Sequence, residues 1–119
     1  MALKVLIVDD HPSFRASARA LLTAEGFDVV GEAVDAESAI ACVRALRPEV
    51  VLLDVQLPDR DGFSVCAEVT GNCVCPEVVL TSSRDGEDYG PLIAGSGASG
   101  FVPKAELSGP AILALLRPR

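Results

Sequence analysis

The sequence predicts a three-layer α/β fold built on a five-stranded parallel sheet. Three observations carry that expectation. Short aliphatic runs alternate with segments of helical periodicity, which implies parallel pairing through helical crossovers. The 119 residues suit one domain able to bury a core without disulfide staples. Half of the residues are hydrophobic but only 4% are aromatic, so that core must be made of Val, Leu, Ile and Ala.

The first strand is Lys4–Val8, an apolar run closed by Asp9 and Asp10. A helix is expected over 13–25, with Phe14, Ala18, Leu21 and Leu22 at helical spacing, Pro12 at its start and Gly26 at its C-terminal end. Asp28–Ala33 reads as the second strand. Asp35 can cap the next helix, whose apolar face is Ala36, Ala39, Ile40, Val43 and Leu46, with Pro48 closing it. Residues 50–53 are four aliphatics ending at Asp54, the signature of a strand buried on both faces.

A turn-rich loop with Pro58, Asp59, Asp61 and Gly62 precedes a short helix at 63–69. The fourth strand, 78–80, ends at Thr81. Residues 86–97 oppose a long helix, because Gly90, Pro91, Gly95 and Gly97 lie within them. Phe101 and Val102 belong to a fifth strand ending near Lys104, and Ser108 or Gly109 caps a last short helix with Pro110 near its start. Each crossover should be right-handed.

Composition excludes several function classes. A formal net charge of −7 makes direct nucleic-acid binding by this segment unfavourable, because phosphate backbones demand clustered Lys and Arg. No apolar run approaches the ~20 residues that cross a bilayer, and no signal-peptide pattern opens the chain, so a cytoplasmic location without membrane contact is expected. Of the four cysteines, Cys73 and Cys75 form a C-x-C rather than a common zinc pattern, and the only histidine is His11. Reduced thiols are the simplest reading. A Cys66–Cys73 or Cys66–Cys75 disulfide, or a metal site, are the alternatives.

Chemistry collects where the strands stop. Sites in open parallel sheets form at the carboxyl ends of strands, and four of the five end in a reactive group: Asp9 and Asp10, Asp54, Thr81, and Lys104. Three carboxylates brought together repel one another, and a hard divalent cation relieves that repulsion. Mg²⁺ prefers one or two carboxylates with waters and phosphate oxygens. Asp54 is the candidate nucleophile for forming an acyl phosphate. Lys104 would neutralise one phosphoryl oxygen, and the Thr81 hydroxyl would donate to another. Each residue alone could be a turn former or a surface group; their order at successive strand ends is what points to phosphoryl chemistry.

The chain resembles the receiver domains of two-component response regulators over nearly its full length. The matching pieces are V-L-I-V-D-D-H-P at 5–12, V-V-L-L-D-V-Q-L-P-D-R-D-G at 50–62, V-V-L-T-S at 78–82 and G-F-V-P-K at 100–104. The resemblance implies a flavodoxin-like (CheY-like) fold with strand order 2-1-3-4-5. It implies a phosphorylation switch in a phosphorelay. Asp54 would accept the phosphoryl group from a sensor histidine kinase or phosphotransfer protein. Asp10, Asp54 and the backbone carbonyl of Gln56 would ligate Mg²⁺, with Asp9 acting through water. Thr81 and Lys104 would contact the phosphoryl group, and Phe101 would be the aromatic switch residue. Gln56 and Ser83 sit where the family tunes hydrolysis. Such a protein is a phosphoacceptor, catalysing at most its own phosphotransfer and dephosphorylation. Its further partners would be an output domain or effector protein, and a second copy in a homodimer.

The D-D-H-P start and the Lys104–Ala105 pair are similar to receivers of the LuxR/NarL type, which precede a helix-turn-helix domain. Residues 1–119 are expected to form one receiver domain with no output domain in this chain. Three departures stand out: Ala105 follows the lysine where many receivers have proline, which argues against a cis bond; the third helix looks short; and the fourth-helix region is rich in Gly and Pro. Two other classes fit less well. A flavodoxin-type electron carrier would not open its phosphate loop with two aspartates, and a haloacid-dehalogenase-type phosphohydrolase would show D-x-D-x-T where this chain has Asp54-Val55-Gln56. A receiver acting as a constitutive interaction module is the third rival.

Overall fold

The computed structural model describes residues 2–71, 76–83 and 89–116. Along the chain run β1 (Lys4–Val8), α1 (Pro12–Ala24), β2 (Asp28–Ala33), α2 (Ala36–Leu46), β3 (Val50–Asp54), α3 (Gly62–Thr70), β4 (Glu77–Ser82), α4 (Gly90–Ala94), β5 (Gly100–Pro103) and α5 (Gly109–Leu115), with a 3₁₀ turn at Lys104–Glu106. All five strands pair in parallel, in the order β2-β1-β3-β4-β5. The chain order reverses between β1 and β3, and that is where an open sheet leaves a crevice beyond its carboxyl edge.

Strand alternation sorts the core into two layers. Val5, Ile7, Val50, Leu52, Val79 and Val102 face α1 and α5, where Ala18, Leu22 and Ile112 meet them. Leu6, Val8, Val51, Leu53, Val78 and Leu80 face α2 and α3, against Ala36, Ala39, Val65, Cys66 and Val69. β3 is buried along its whole length, as its unbroken aliphatic run required.

Local chemistry fixes the ends of the elements. Asp35 caps α2 by accepting from the Ser38 amide at 2.8 Å, and the Ser38 hydroxyl reciprocates. Asp59, from the loop after β3, accepts from the Ala36 and Glu37 amides at 2.8 and 3.2 Å, tying that loop to the start of α2. Pro12 occupies the first turn of α1 and Ser108 caps α5. Gly26, at φ +93°, lets the chain turn out of α1 into β2.

Several expectations need adjustment. Leu46, at the end of α2, is 39% exposed, although its tip packs over Gly31 of β2. The glycine- and proline-rich stretch yields only the five-residue α4 within the described residues. The peptide bond after Lys104 is trans, like every peptide of the described chain. Cys42 and Cys66 are free thiols; the proposed pairings with Cys73 or Cys75 fall outside the described residues. Among the described residues no helix is long and apolar enough to cross a membrane.

Candidate functional site

Two residues beyond Ile7, Leu52 and Val79, which share one face of the sheet, come Asp9, Asp54 and Thr81. The two-residue period therefore carries all three to the same side of the carboxyl edge. β3 and β4 pair Asp54 with Thr81 in register, and the Asp9 amide donates to the Ala33 carbonyl at 3.0 Å, extending the β1–β2 ladder by one bond. The sheet thus brings together side chains separated by up to 72 positions.

Lys104 closes the group from the start of the 3₁₀ turn. Its Nζ lies 2.7 Å from Asp9 Oδ2 and 3.2 Å from Asp54 Oδ2. It also stands over the Phe14 ring, 4.6 Å from the centroid, so an aromatic face on α1 backs the ammonium. Asp54 Oδ1 accepts from the Gln56 amide at 3.0 Å. Asp9 Oδ1 accepts from the backbone and ring nitrogens of His11 at 2.8 and 2.9 Å. Arg15 Nη1 donates to the Asp9 carbonyl at 2.7 Å while its Nε holds Glu32, which braces the loop after β1.

Burial and charge set the protonation of this cluster. Asp54 is nearly buried, and burial, with the Asp9 charge beside it, pushes its carboxyl above the usual range despite the Gln56 and Lys104 contacts. Burial also works to raise Asp9, but the bonds from Lys104 and His11 outweigh it and hold Asp9 low. Burial opposes charge on Lys104, and the two carboxylates reverse that and raise it. The ground state is thus an ammonium clamped between one firmly ionised carboxylate and one reluctant carboxylate.

Thr81 Oγ1 is the odd atom. It is buried and has no hydrogen-bond partner among the described residues. Such a hydroxyl costs about 1–3 kcal/mol, which an acceptor arriving beside Asp54 would recover.

The loop after β3 holds its shape because residue 62 is glycine. A Cβ there would strike the Asp54 carbonyl oxygen and come within 2.7 Å of Val55 Cα, while the Gly62 amide donates to the Val55 carbonyl at 2.7 Å. The Asp61-Gly62 pair therefore sets the path of the chain directly after the nucleophile candidate.

A model of the response regulator receiver domain matches residues 5–116. The chain belongs to the response regulator receiver domain family.

This receiver is 31% identical over 104 residues to the DNA-binding transcriptional activator EvgA of Escherichia coli K12, covering 87% of the chain and 51% of EvgA. It is 33% identical to the signal receiver domain of NarL from Mycobacterium tuberculosis, at a TM-score of 0.84 with 96% of each chain covered. A two-component response regulator of the LuxR family from Aurantimonas sp. SI85-9A1 is 29% identical at a TM-score of 0.83, with 96% of this chain and 81% of that one covered. The receiver spans about half the length of the curated relatives it matches.

Asp9, Asp10, Asp54, Thr81 and Lys104 stand where the sequence placed them. Asp9, Asp10 and Asp54, with His11, each offer a donor atom within 4.8 Å of the others. Gln56 contributes its amide to Asp54 and pairs with Asp61 across a short bridge. Phe101 is half-buried and sits apart from Thr81: β5 pairs it with Leu80, on the α2–α3 face, where its ring packs 5.8 Å from that of Tyr89. Tyr89 also contacts Phe63, and its hydroxyl meets Ser82 Oγ at 2.9 Å. His11, Phe14, Arg15 and Tyr89 are the site neighbours that the sequence did not single out. The helical spacing of Phe14 pointed only to packing.

Proposed function

We propose that this receiver is a phosphorylation-controlled switch of a two-component phosphorelay, accepting a phosphoryl group on Asp54. The observation that carries the reading is the company Asp54 keeps: a buried carboxylate with Lys104 at 3.2 Å, Asp9 and Asp10 beside it, and the unpartnered hydroxyl of Thr81 on the neighbouring strand.

A carboxylate oxygen of Asp54 would attack the phosphorus of a kinase phosphohistidine. The new O–P bond forms as the P–N bond breaks, and the histidine nitrogen leaves with the electron pair. Lys104 would release part of its hold on Asp54 and meet a phosphoryl oxygen. Thr81 would donate its free hydroxyl to another.

The carboxylate oxygens of Asp9, Asp10 and Asp54, gathered at one point with the His11 ring beside them, suit Mg²⁺ as a hard cation. Asp10, Asp54 and the Gln56 carbonyl would hold the ion, with Asp9 through water. When bound, it would neutralise charge on the transferring group. The receiver would act on no external substrate beyond its own phosphoryl donor.

The output follows from charge. Phosphorylation adds about −1.5 to −2 units and new acceptor oxygens at the end of β3 and β4. Thr81 would move toward them. Its neighbour Ser82 would carry that movement to Tyr89 and so to Phe101, altering the surface around α4 and β5. An output domain, an effector or a second copy would read that surface. EvgA is a DNA-binding transcriptional activator, and control of transcription is the corresponding proposal here.

The test is intact-mass analysis after incubation with acetyl phosphate, with and without Mg²⁺. We expect a gain of one phosphoryl group that needs Mg²⁺ and disappears in Asp54→Asn. No gain from acetyl phosphate or from a phosphorylated cognate kinase would overturn the proposal in favour of a constitutive interaction module.

A further inference from the structure

The Lys104 ammonium has three neighbours, and the switch chemistry above uses two of them. It contacts Asp9, Asp54 and the Phe14 ring, the last at 4.6 Å from the centroid. Phe14 belongs to the stripe that α1 turns toward the sheet. Ala18 and Leu22 follow it at four-residue steps and are buried in the core. Phe14 ends that stripe at the carboxyl edge, where it is half-buried and presents its ring to a charge. Packing alone would be served by an aliphatic side chain, as it is at Ala18 and Leu22.

Lys104 has reason to need that ring. Its four-carbon stem is flexible and its head is a mobile point charge. In the resting cluster Asp9 at 2.7 Å and Asp54 at 3.2 Å hold the head. Phosphoryl transfer would turn the Asp54 carboxylate into a mixed anhydride. One anchor would then lose its charge just as the ammonium turns to a phosphoryl oxygen. The ring is a contact that the reaction leaves unchanged. An aromatic face attracts a cation through its quadrupole while carrying no net charge. It therefore holds the ammonium without repelling an incoming anion, which a further carboxylate in its place would do. The ring also covers one flank of a side chain that is only 16% exposed, which limits the path of the stem into solvent.

Resting on the reading of Asp54 as phosphoryl acceptor, we propose that Phe14 is a positioning residue for phosphoryl transfer, its ring holding the Lys104 ammonium at the sheet edge as that ammonium passes from Asp54 to the phosphoryl group. The ring acts through Lys104 and not on the phosphoryl group itself. Its hold counts for more as the Asp54 contact loosens, so it lowers the barrier as well as bracing the resting state.

The test replaces Phe14 in the full chain with 4-fluoro-, 3,5-difluoro- and pentafluorophenylalanine, and separately with Tyr and Leu. Fluorine drains the negative potential of the ring face while nearly keeping its shape. Phosphoryl uptake from acetyl phosphate with Mg²⁺ is followed by intact mass, and this small donor keeps protein contacts of α1 out of the rate. Uptake should slow stepwise along the fluorinated series, reaching about fivefold or more below wild type for the pentafluoro ring. Phe14→Leu should be as slow, and Phe14→Tyr should stay within about twofold of wild type. Lys4 and Lys104 are the only lysines, so NMR reads the ring-current displacement of the Lys104 ε-methylene protons directly. It should be present in wild type and absent in Phe14→Leu. Equal uptake rates along the fluorinated series, or no displacement in wild type, overturn the assignment. Labelling of wild type with a flat series removes only the role of Phe14. No labelling of wild type by acetyl phosphate or by a phosphorylated cognate kinase removes the acceptor reading, and this role with it.

Discussion

Asp54 is held ready at an energetic cost. Its carboxyl is raised by burial and by the charge of Asp9, so the native state binds its proton more tightly than the unfolded chain does. The sign follows from linkage. Stability falls as pH rises from the ordinary value of 3.8 through the higher native value, and the full penalty is present above it. In metal-free buffer Asp54→Asn should therefore stabilise the protein at pH 7, seen as a higher Tm, and the gain should vanish as pH falls below 3.8. Thermal melts of both proteins at several pH values measure this. The carboxylates, Thr81 and Lys104 were legible in the sequence because each ends a strand, and strand ends converge whatever the loops do. His11, Phe14 and Arg15 were not, because their roles depend on how the loop after β1 turns and how α1 docks. No periodicity encodes either. Phe101 was legible as a residue, but its separation from Thr81 appears only with the β4–β5 register.

At the scale of elements, the loop between β3 and α3 carries the greatest constraint. Gly62→Ala would drive a methyl group into the Asp54 backbone. It should cost about 2–3 kcal/mol in urea unfolding, as overpacking does. It should also slow phosphoryl uptake roughly tenfold or more, because it displaces the nucleophile it follows. A variant with wild-type stability and uptake would show that the loop relaxes freely. The glycine was visible as a turn signal, but the backbone it must approach was not. Strand positions were readable to within a residue or two, since aliphatic runs bounded by Asp, Gly and Pro leave little choice. α4 was the weak point because its glycines and prolines deny the helix both propensity and a clear apolar face.

For the molecule as a whole, the division of the sheet into two buried faces is what makes a core with so few aromatics sufficient. Leu52 lies in the central strand, fully enclosed by the α1–α5 layer. Leu52→Ala should cost about 3–4 kcal/mol, the removed methyl groups plus the cavity they leave. Denaturant unfolding should show the loss as a lower midpoint with an unchanged slope. The strand order could not be read from periodicity, which is the same for any permutation of five parallel strands; it came only through the four motifs that resemble receivers. The sheet order in turn puts β1 beside β3, and that adjacency is what makes one site out of Asp9, Asp10 and Asp54.

Tyr89 is the only tyrosine, and the chain has no tryptophan. The ring that bridges Ser82 to Phe101 is therefore the sole strong intrinsic fluorophore of the protein. Light emitted near the tyrosine maximum comes from one place, the junction between the carboxyl end of β4 and the α4–β5 face, and any rearrangement there alters quenching by the bonded Ser82 hydroxyl. An unlabelled sample thus carries its own optical gauge of whether events at the strand ends reach the outer surface, readable in stopped flow without a dye.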